Sequence, residues 1–184
     1  MTTELTPLEG CIILKPTVFG DERGYFFESF NQKKFAELTG YDTVFVQDNQ
    51  SYSTKGVLRG LHLQKGASSQ AKLVSVVKGE VLDVAVDLRA GSKTYRKHFD
   101  IRLSESNRLQ LFIPRGFAHG FVVLSDDAIF QYKCDNYYDK AAEGGIHYAD
   151  PGLAIDWILP HDQLIVSPKD VELPFMDNIG DLGF

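Results

Sequence analysis

The 184 residues, 43% hydrophobic and 24% charged, are enough for one domain with a sizeable core and exclude a disordered chain. A formal charge of -6 with scattered Lys and Arg argues against nucleic acid as the main partner; a small phosphorylated ligand, which needs only a few placed cations, is compatible. Uncharged runs are too short to span a membrane, Met1-Thr2-Thr3-Glu4 has no signal-peptide character, and Cys11 and Cys134 lack metal-type spacing, so a cytoplasmic protein with reduced thiols is expected.

In chain order, Cys11 to Lys15 is a short apolar run stopped by Pro16, Gly20 to Gly24 reads as a turn, and Tyr25 to Phe30 is aromatic and strand-like. Asn31 is an N-cap candidate, Phe35 and Leu38 follow at helical spacing, and Gly40 is a C′ stop, which predicts one short helix over about residues 31–39. Strands are then expected at Thr43 to Gln47, Val57 to Leu63 and Lys72 to Val77. From Val81 to Leu88, apolar Leu82, Val84 and Val86 alternate with Asp83, Ala85 and Asp87, a period-two signal. Phe99 to Leu103 alternates in the same way as a half-exposed strand. Leu109 to Ile113, Phe117 to Leu124 and Ala128 to Lys133 complete the series. Many short strands, frequent turns and almost no helix imply an all-β sandwich or small barrel. The last forty or so residues, less regular, are expected to wrap this barrel, so that 1–184 form a single domain.

Within Gly56 to Gln64, Arg59 and His62 stand three apart and would face opposite ways on an ideal strand. A bulge, for which Gly60 is suited, would bring both into one cavity; a core histidine with a surface arginine is the plainer alternative. Pro114-Arg115-Gly116-Phe117-Ala118-His119-Gly120 matches the PxGxxH core of the second cupin motif, and cupins are double-sheet jelly rolls. The first cupin motif is half present: Gly56 and His62 keep its spacing, Gln64 replaces its second histidine, and its glutamate is missing. His62 and His119 alone are too few for a transition-metal site, so no metal or other cofactor is expected and the histidines are free for acid–base chemistry.

Further segments narrow the resemblance. They are Val18 to Gly24, Phe26-Phe27-Glu28-Ser29, Gln47-Asp48-Asn49, Leu58 to His62, Pro114 to Phe121, Tyr132-Lys133, Asn136-Tyr137-Tyr138, Glu143-Gly144 and Ser167 to Asp170. In this order the chain resembles the dTDP-4-dehydrorhamnose 3,5-epimerase family, from about residue 18 to 175. The resemblance implies a cupin jelly-roll (double-stranded β-helix) barrel and a small-molecule substrate, dTDP-4-dehydro-6-deoxyglucose. Protons at C3 and C5, α to the C4 ketone, would be removed to an enolate and returned on the other face.

By the same resemblance His62 is the base, Asp170 the carboxylate that orients it, Tyr132 the acid on the opposite face, and Lys72 the cation beside the developing charge on O4. Taken singly, Asp170 reads as a loop aspartate, Tyr132 as a core aromatic and Lys72 as a solvated strand lysine. Arg23, Arg59 and Lys169 would meet the diphosphate or nucleotide, Glu28, Gln47, Asp48 and Asn49 would hydrogen-bond the nucleotide, and Phe19 and Tyr137 would stack on thymine. His119 would line the sugar pocket, and Glu143, by itself an ordinary surface acid, matches another binding position. A homodimer is implied, with N-terminal strands pairing across subunits, so that Arg23 and Glu28 would serve the neighbouring site. Competing readings are a C3-only or C5-only epimerase, a sugar ketoisomerase, a nucleotide-sugar-binding cupin without turnover, and a metal-dependent oxygenase, which Gln64 disfavours.

Overall fold

The computed structural model describes residues 1–184. Its strands are β1 (Thr2–Leu5), β2 (Ile12–Lys15), β3 (Val18–Asp21), β4 (Gly24–Phe27), β5 (Gln47–Thr54), β6 (Val57–Gln64), β7 (Lys72–Lys78), β8 (Glu80–Asp87), β9 (His98–Ser104), β10 (Gln110–Ile113), β11 (Phe117–Val123), β12 (Asp127–Cys134), β13 (Glu143–Gly145) and β14 (Ile165–Val166). Two short α-helices, α1 (Gln32–Thr39) and α2 (Pro168–Val171), accompany them. The first sheet runs β1-β2-β10-β7-β12-β5 and the second β13-β6-β11-β8-β9, with β14 beside β6; β3 and β4 form a separate hairpin.

The sheets pack face to face as a jelly roll. Val74, Val76 and Phe130 from the first meet Val81, Ala85, Leu103 and Phe121 from the second in the inner core. Each of the larger side chains (Val, Leu and Phe), taken fully from water, contributes about 1.5–3 kcal/mol. The outer face of the second sheet is covered as well. Leu58, Leu82, Val84 and Val122 pack under Ile146, Tyr148, Trp157 and Met176 of the C-terminal segment, which is the wrap expected from sequence. A third cluster, with Ile12, Leu73 and Phe112, seats Phe35 of α1.

The helix starts and stops as its residues dictate: Asn31 Oδ1 accepts from Lys34 N at 3.1 Å, and Gly40 closes the helix with φ 74°. Other elements depart from expectation. Thr43 to Val46 are not strand; pairing starts at Gln47 and continues to Thr54, a polar segment (Gln-Asp-Asn-Gln-Ser-Tyr-Ser-Thr) whose apolar content is too low to announce it. The turn expected at residues 20–24 is present, with Glu22-Arg23 closing the β3–β4 hairpin. β1 and α2 carry no sequence periodicity and were not expected. In β8 the Asp83 and Asp87 side chains alternate with apolar ones yet both are fully buried, because the wrap covers one face and the opposite sheet the other.

Candidate active site

The site begins with the irregularity in β6. His62 pairs with His119 and Arg59 with Phe121, so Gly60 and Leu61 oppose Gly120 alone. This is the bulge for which Gly60 was suited; it turns His62 to the cavity, while Arg59 is exposed and does not line it. Gly60 has φ 130°, and a Cβ there would stand 2.5 Å from Gly120 Cα, so both the backbone angle and the close approach require glycine. The extra residue lets Leu58 and Leu61 both enter the outer core while His62 faces inward. Arg59 donates from Nε to Ser53 Oγ at 3.1 Å, and its charge reaches Tyr132.

His62 Nε2 lies 2.6 Å from Asp170 Oδ1. Asp170 belongs to α2, a single turn entered through Pro168 and capped by Ser167, whose Oγ accepts from Asp170 N at 3.2 Å. Burial by itself would raise the Asp170 carboxyl; hydrogen bonds from His62 and the Gly60 N–H outweigh it and hold the group below its ordinary range. The wrap therefore closes the core and also delivers a charged acceptor to the imidazole, fixing its orientation.

The facing wall comes from the other sheet. Tyr132 on β12 and Lys72 on β7 point between the sheets, with Lys72 Nζ 5.8 Å from the Tyr132 ring centroid. Burial pushes the Tyr132 hydroxyl up, which keeps it protonated and able to donate. Burial pushes the Lys72 ammonium down, against the charges of Cys134 and Asp83. Between the walls is a cavity of about 160 Å³ that His62, Lys72, Tyr132, Gln47, Asn49 and Glu143 line together with Gln64, Gln70 and Tyr138. His119, nearly buried, bonds Asp83 Oδ2 through Nε2 at 2.8 Å and stacks on Phe130. At the rim Tyr138 donates to Glu143 Oε2 at 3.0 Å, and Lys169 forms an ion pair with the same carboxylate and holds it below its usual range.

Other candidates lie elsewhere. Asp48 points away from the cavity and pairs with Lys133 at 2.9 Å. Tyr137 is 67% exposed, and its neighbour Tyr138 is the tyrosine that reaches the cavity. Phe19 and Arg23 line a groove of their own on the β3–β4 hairpin, where Arg23 pairs with Asp21, and Glu28 is held by Lys34 at 2.8 Å. The sequence reading gave no site role to Gln70, Tyr138 or Asp83, and took Gln64 only as the residue that breaks the first cupin motif. Asp83 carried a signal, as a carboxylate placed among strand residues that proved to be core. No three His, Cys, Asp or Glu side chains are grouped so as to hold a metal.

A base with its carboxylate on one sheet and a protonated phenol on the other can remove a proton from one face of a bound carbon and supply one to the opposite face. The fold has close counterparts among known proteins. The model of the family described as dTDP-4-dehydrorhamnose 3,5-epimerase matches residues 5–178. The enzyme of that name from Escherichia coli is 52% identical over 175 residues, 95% of this chain and 94% of its own. The crystal structure of the Elizabethkingia anophelis enzyme superposes with a TM-score of 0.94 at 56% identity, covering 97% of this chain and 98% of that one. A Legionella pneumophila 3,5-epimerase, solved in complex with dTDP-4-keto-L-rhamnose, superposes at 0.93 with 50% identity, covering 97% of this chain and 94% of that one. Extending along nearly the whole chain and agreeing in fold, these matches make the protein a member of the dTDP-4-dehydrorhamnose 3,5-epimerase family.

Proposed function

We propose that the protein epimerises dTDP-4-dehydro-6-deoxy-D-glucose at C3 and C5 to dTDP-4-dehydro-L-rhamnose, a step of dTDP-L-rhamnose biosynthesis. The observation that carries the mechanism is the opposition of the His62–Asp170 pair to Tyr132 across one small cavity. His62 takes the proton α to the C4 ketone, with Asp170 supporting the imidazolium that forms. Lys72 stands on the Tyr132 side and stabilises the enolate oxygen. Tyr132, kept protonated by burial, returns a proton on the other face. In this reading Asn49 of the lining and the buried His119 serve the sugar, while Gln47, Tyr138 and Glu143 of the lining, together with Arg59 and Lys169, serve the nucleotide.

The cavity is smaller than the ~300 Å³ at the lower bound of common ligand pockets, so one chain encloses the sugar and leaves most of a sugar nucleotide uncovered. Phe19, Arg23 and Glu28, which lie outside it, supply an aromatic face, a cation and an acceptor suited to that remainder. We infer a homodimer in which each hairpin completes the neighbour's site. The wrap, which covers the barrel without forming a core of its own, supports treating 1–184 as a single epimerase domain. No helix is long and apolar enough to cross a membrane, and both cysteines are buried and unpaired, as suits a reducing cytoplasm.

Proton NMR with dTDP-4-dehydro-6-deoxyglucose in deuterated water tests the reading. Deuterium is expected at both C3 and C5 of an inverted product. Incorporation at one carbon alone would make the protein a single-carbon epimerase, and substrate recovered without exchange would make it a binding module.

A further inference from the structure

Three glutamines line the cavity: Gln47 at the start of β5, Gln64 at the end of β6, and Gln70 between β6 and β7. All three direct a side-chain hydrogen bond to the backbone of one loop, residues 135–142, which leads from β12 to β13. Gln47 Oε1 accepts from Tyr138 N at 3.2 Å, Gln64 Oε1 accepts from Asp139 N at 2.9 Å, and Gln70 Nε2 donates to the Asn136 carbonyl at 2.8 Å. The consecutive N–H groups of Tyr138 and Asp139 have no backbone acceptor, so these amides satisfy donors that the loop cannot satisfy itself. Gln47 and Gln64 belong to different sheets, and together they hold the loop to both walls of the cavity.

Gln64 is the glutamine on the strand that carries the base. It is buried, and strand alternation puts it on the same face as His62, two residues before it. Its partner across the ladder is Glu143. Where the first cupin motif has its second histidine, this chain therefore has an amide whose carbonyl is taken by the loop. Tyr138, next to the anchored Asp139, is exposed, so burial does not locate it. What locates it is the hydrogen bonding of its own N–H and of the next one. Held there, its hydroxyl donates to Glu143 Oε2 at 3.0 Å, and Glu143 pairs with Lys169, the residue before Asp170. We propose that Gln64 is a positioning residue for the nucleotide end of the site: by accepting from the Asp139 N–H it fixes the 135–142 loop relative to β6 and keeps Tyr138 at the cavity. The identity of the ligand rests on the epimerase reading; the anchor is a property of the folded chain.

The experiment compares the full-length wild type with Gln64→Met, which nearly keeps the length and volume of the side chain and removes the acceptor. Amide hydrogen exchange at Asp139, read by NMR, reports the anchor directly, and is expected to be at least about tenfold faster in the variant. KM for dTDP-4-dehydro-6-deoxyglucose and the calorimetric Kd of dTDP are each expected to rise by about threefold to tenfold. With His62, Asp170 and Tyr132 untouched, kcat is expected to stay within about twofold. Should circular dichroism find Gln64→Met unfolded, Gln64→Leu serves as the second variant without an acceptor. Unchanged exchange at Asp139 in a folded variant overturns the proposal, and a raised KM beside it would make Gln64 a direct ligand contact. Faster exchange throughout β6 and β13 with a matching fall in kcat also overturns it, since that is a general loosening of the fold. Faster exchange at Asp139 and weaker dTDP binding, in a protein that never turns over the sugar nucleotide, would leave the anchor standing and remove the epimerase reading instead.

Discussion

His62 and Tyr132 stand on different sheets, and their losses should differ in kind. On the proposed mechanism His62→Ala removes the base, so solvent exchange and epimerisation are both expected to fall by about 10²–10⁴. Tyr132→Phe keeps the base and nearly all the ring packing against Phe130, 6.1 Å away. Deuterium exchange at C3 or C5 is then expected to continue while inversion drops, because the proton returns from the face it left; NMR of the recovered sugar distinguishes the two. Equal loss of both in folded Tyr132→Phe would make the phenol a partner of the base. Asp170 gives a second, acid-side test. Its carboxyl titrates below the ordinary value of about 3.9, so the folded chain binds fewer protons than the unfolded one just below pH 5. The resulting stability is present above that ordinary value and is lost as pH falls through the lower folded one. Urea midpoints of wild type and Asp170→Asn should therefore converge as pH drops from 5 to 3, and a constant gap would contradict the assignment.

At the scale of elements, the bulge in β6 is the device on which the site depends. Gly60→Ala would put a methyl 2.5 Å from Gly120 Cα and 2.9 Å from the His119 carbonyl oxygen, both backbone atoms that cannot swing aside. With the positive φ added, a destabilisation of about 2–4 kcal/mol is expected in urea unfolding, with His62 displaced from Asp170 in what remains folded. Much at this scale was legible beforehand. Asn31 and Gly40 bounded α1 because capping is local chemistry. Gly60 offered a bulge in β6, an irregularity that the register shift opposite Gly120 bears out. β5 was misplaced because Gln47 to Thr54 is polar on both faces, one turned to solvent and the other to a hydrophilic cavity.

For the whole molecule, the hairpin's distance from the cavity leads to a test by mixing. On the proposed dimer, the Arg23→Ala and His62→Ala proteins are each expected to be nearly inactive. If each hairpin serves the neighbouring site, unfolding and refolding them together yields mixed dimers with one intact site each. Recovery of about a quarter of wild-type activity is then expected for random C2 pairing. No recovery, with dimers verified by light scattering, would return the hairpin to its own chain's site.

The residues by themselves determined the all-β architecture, the capped helix α1, the wrapping role of the C-terminal segment and the family to which the chain belongs. Each of these is written in local pattern or in the order of short motifs. Tertiary structure decided the rest. Asp83 and Asp87 read as the polar face of a strand, and only the closing of two layers over β8 made them buried. Tyr138 rather than Tyr137 reaches the cavity because the path of the loop after β12 sets which neighbour turns inward, and adjacent identical residues carry no mark of it. The approach of Asp170 to His62 spans 108 positions of chain. Spacing in sequence carries no distance at that range, and it took the wrap, driven by burial of its own apolar side chains, to bring the carboxylate to the imidazole.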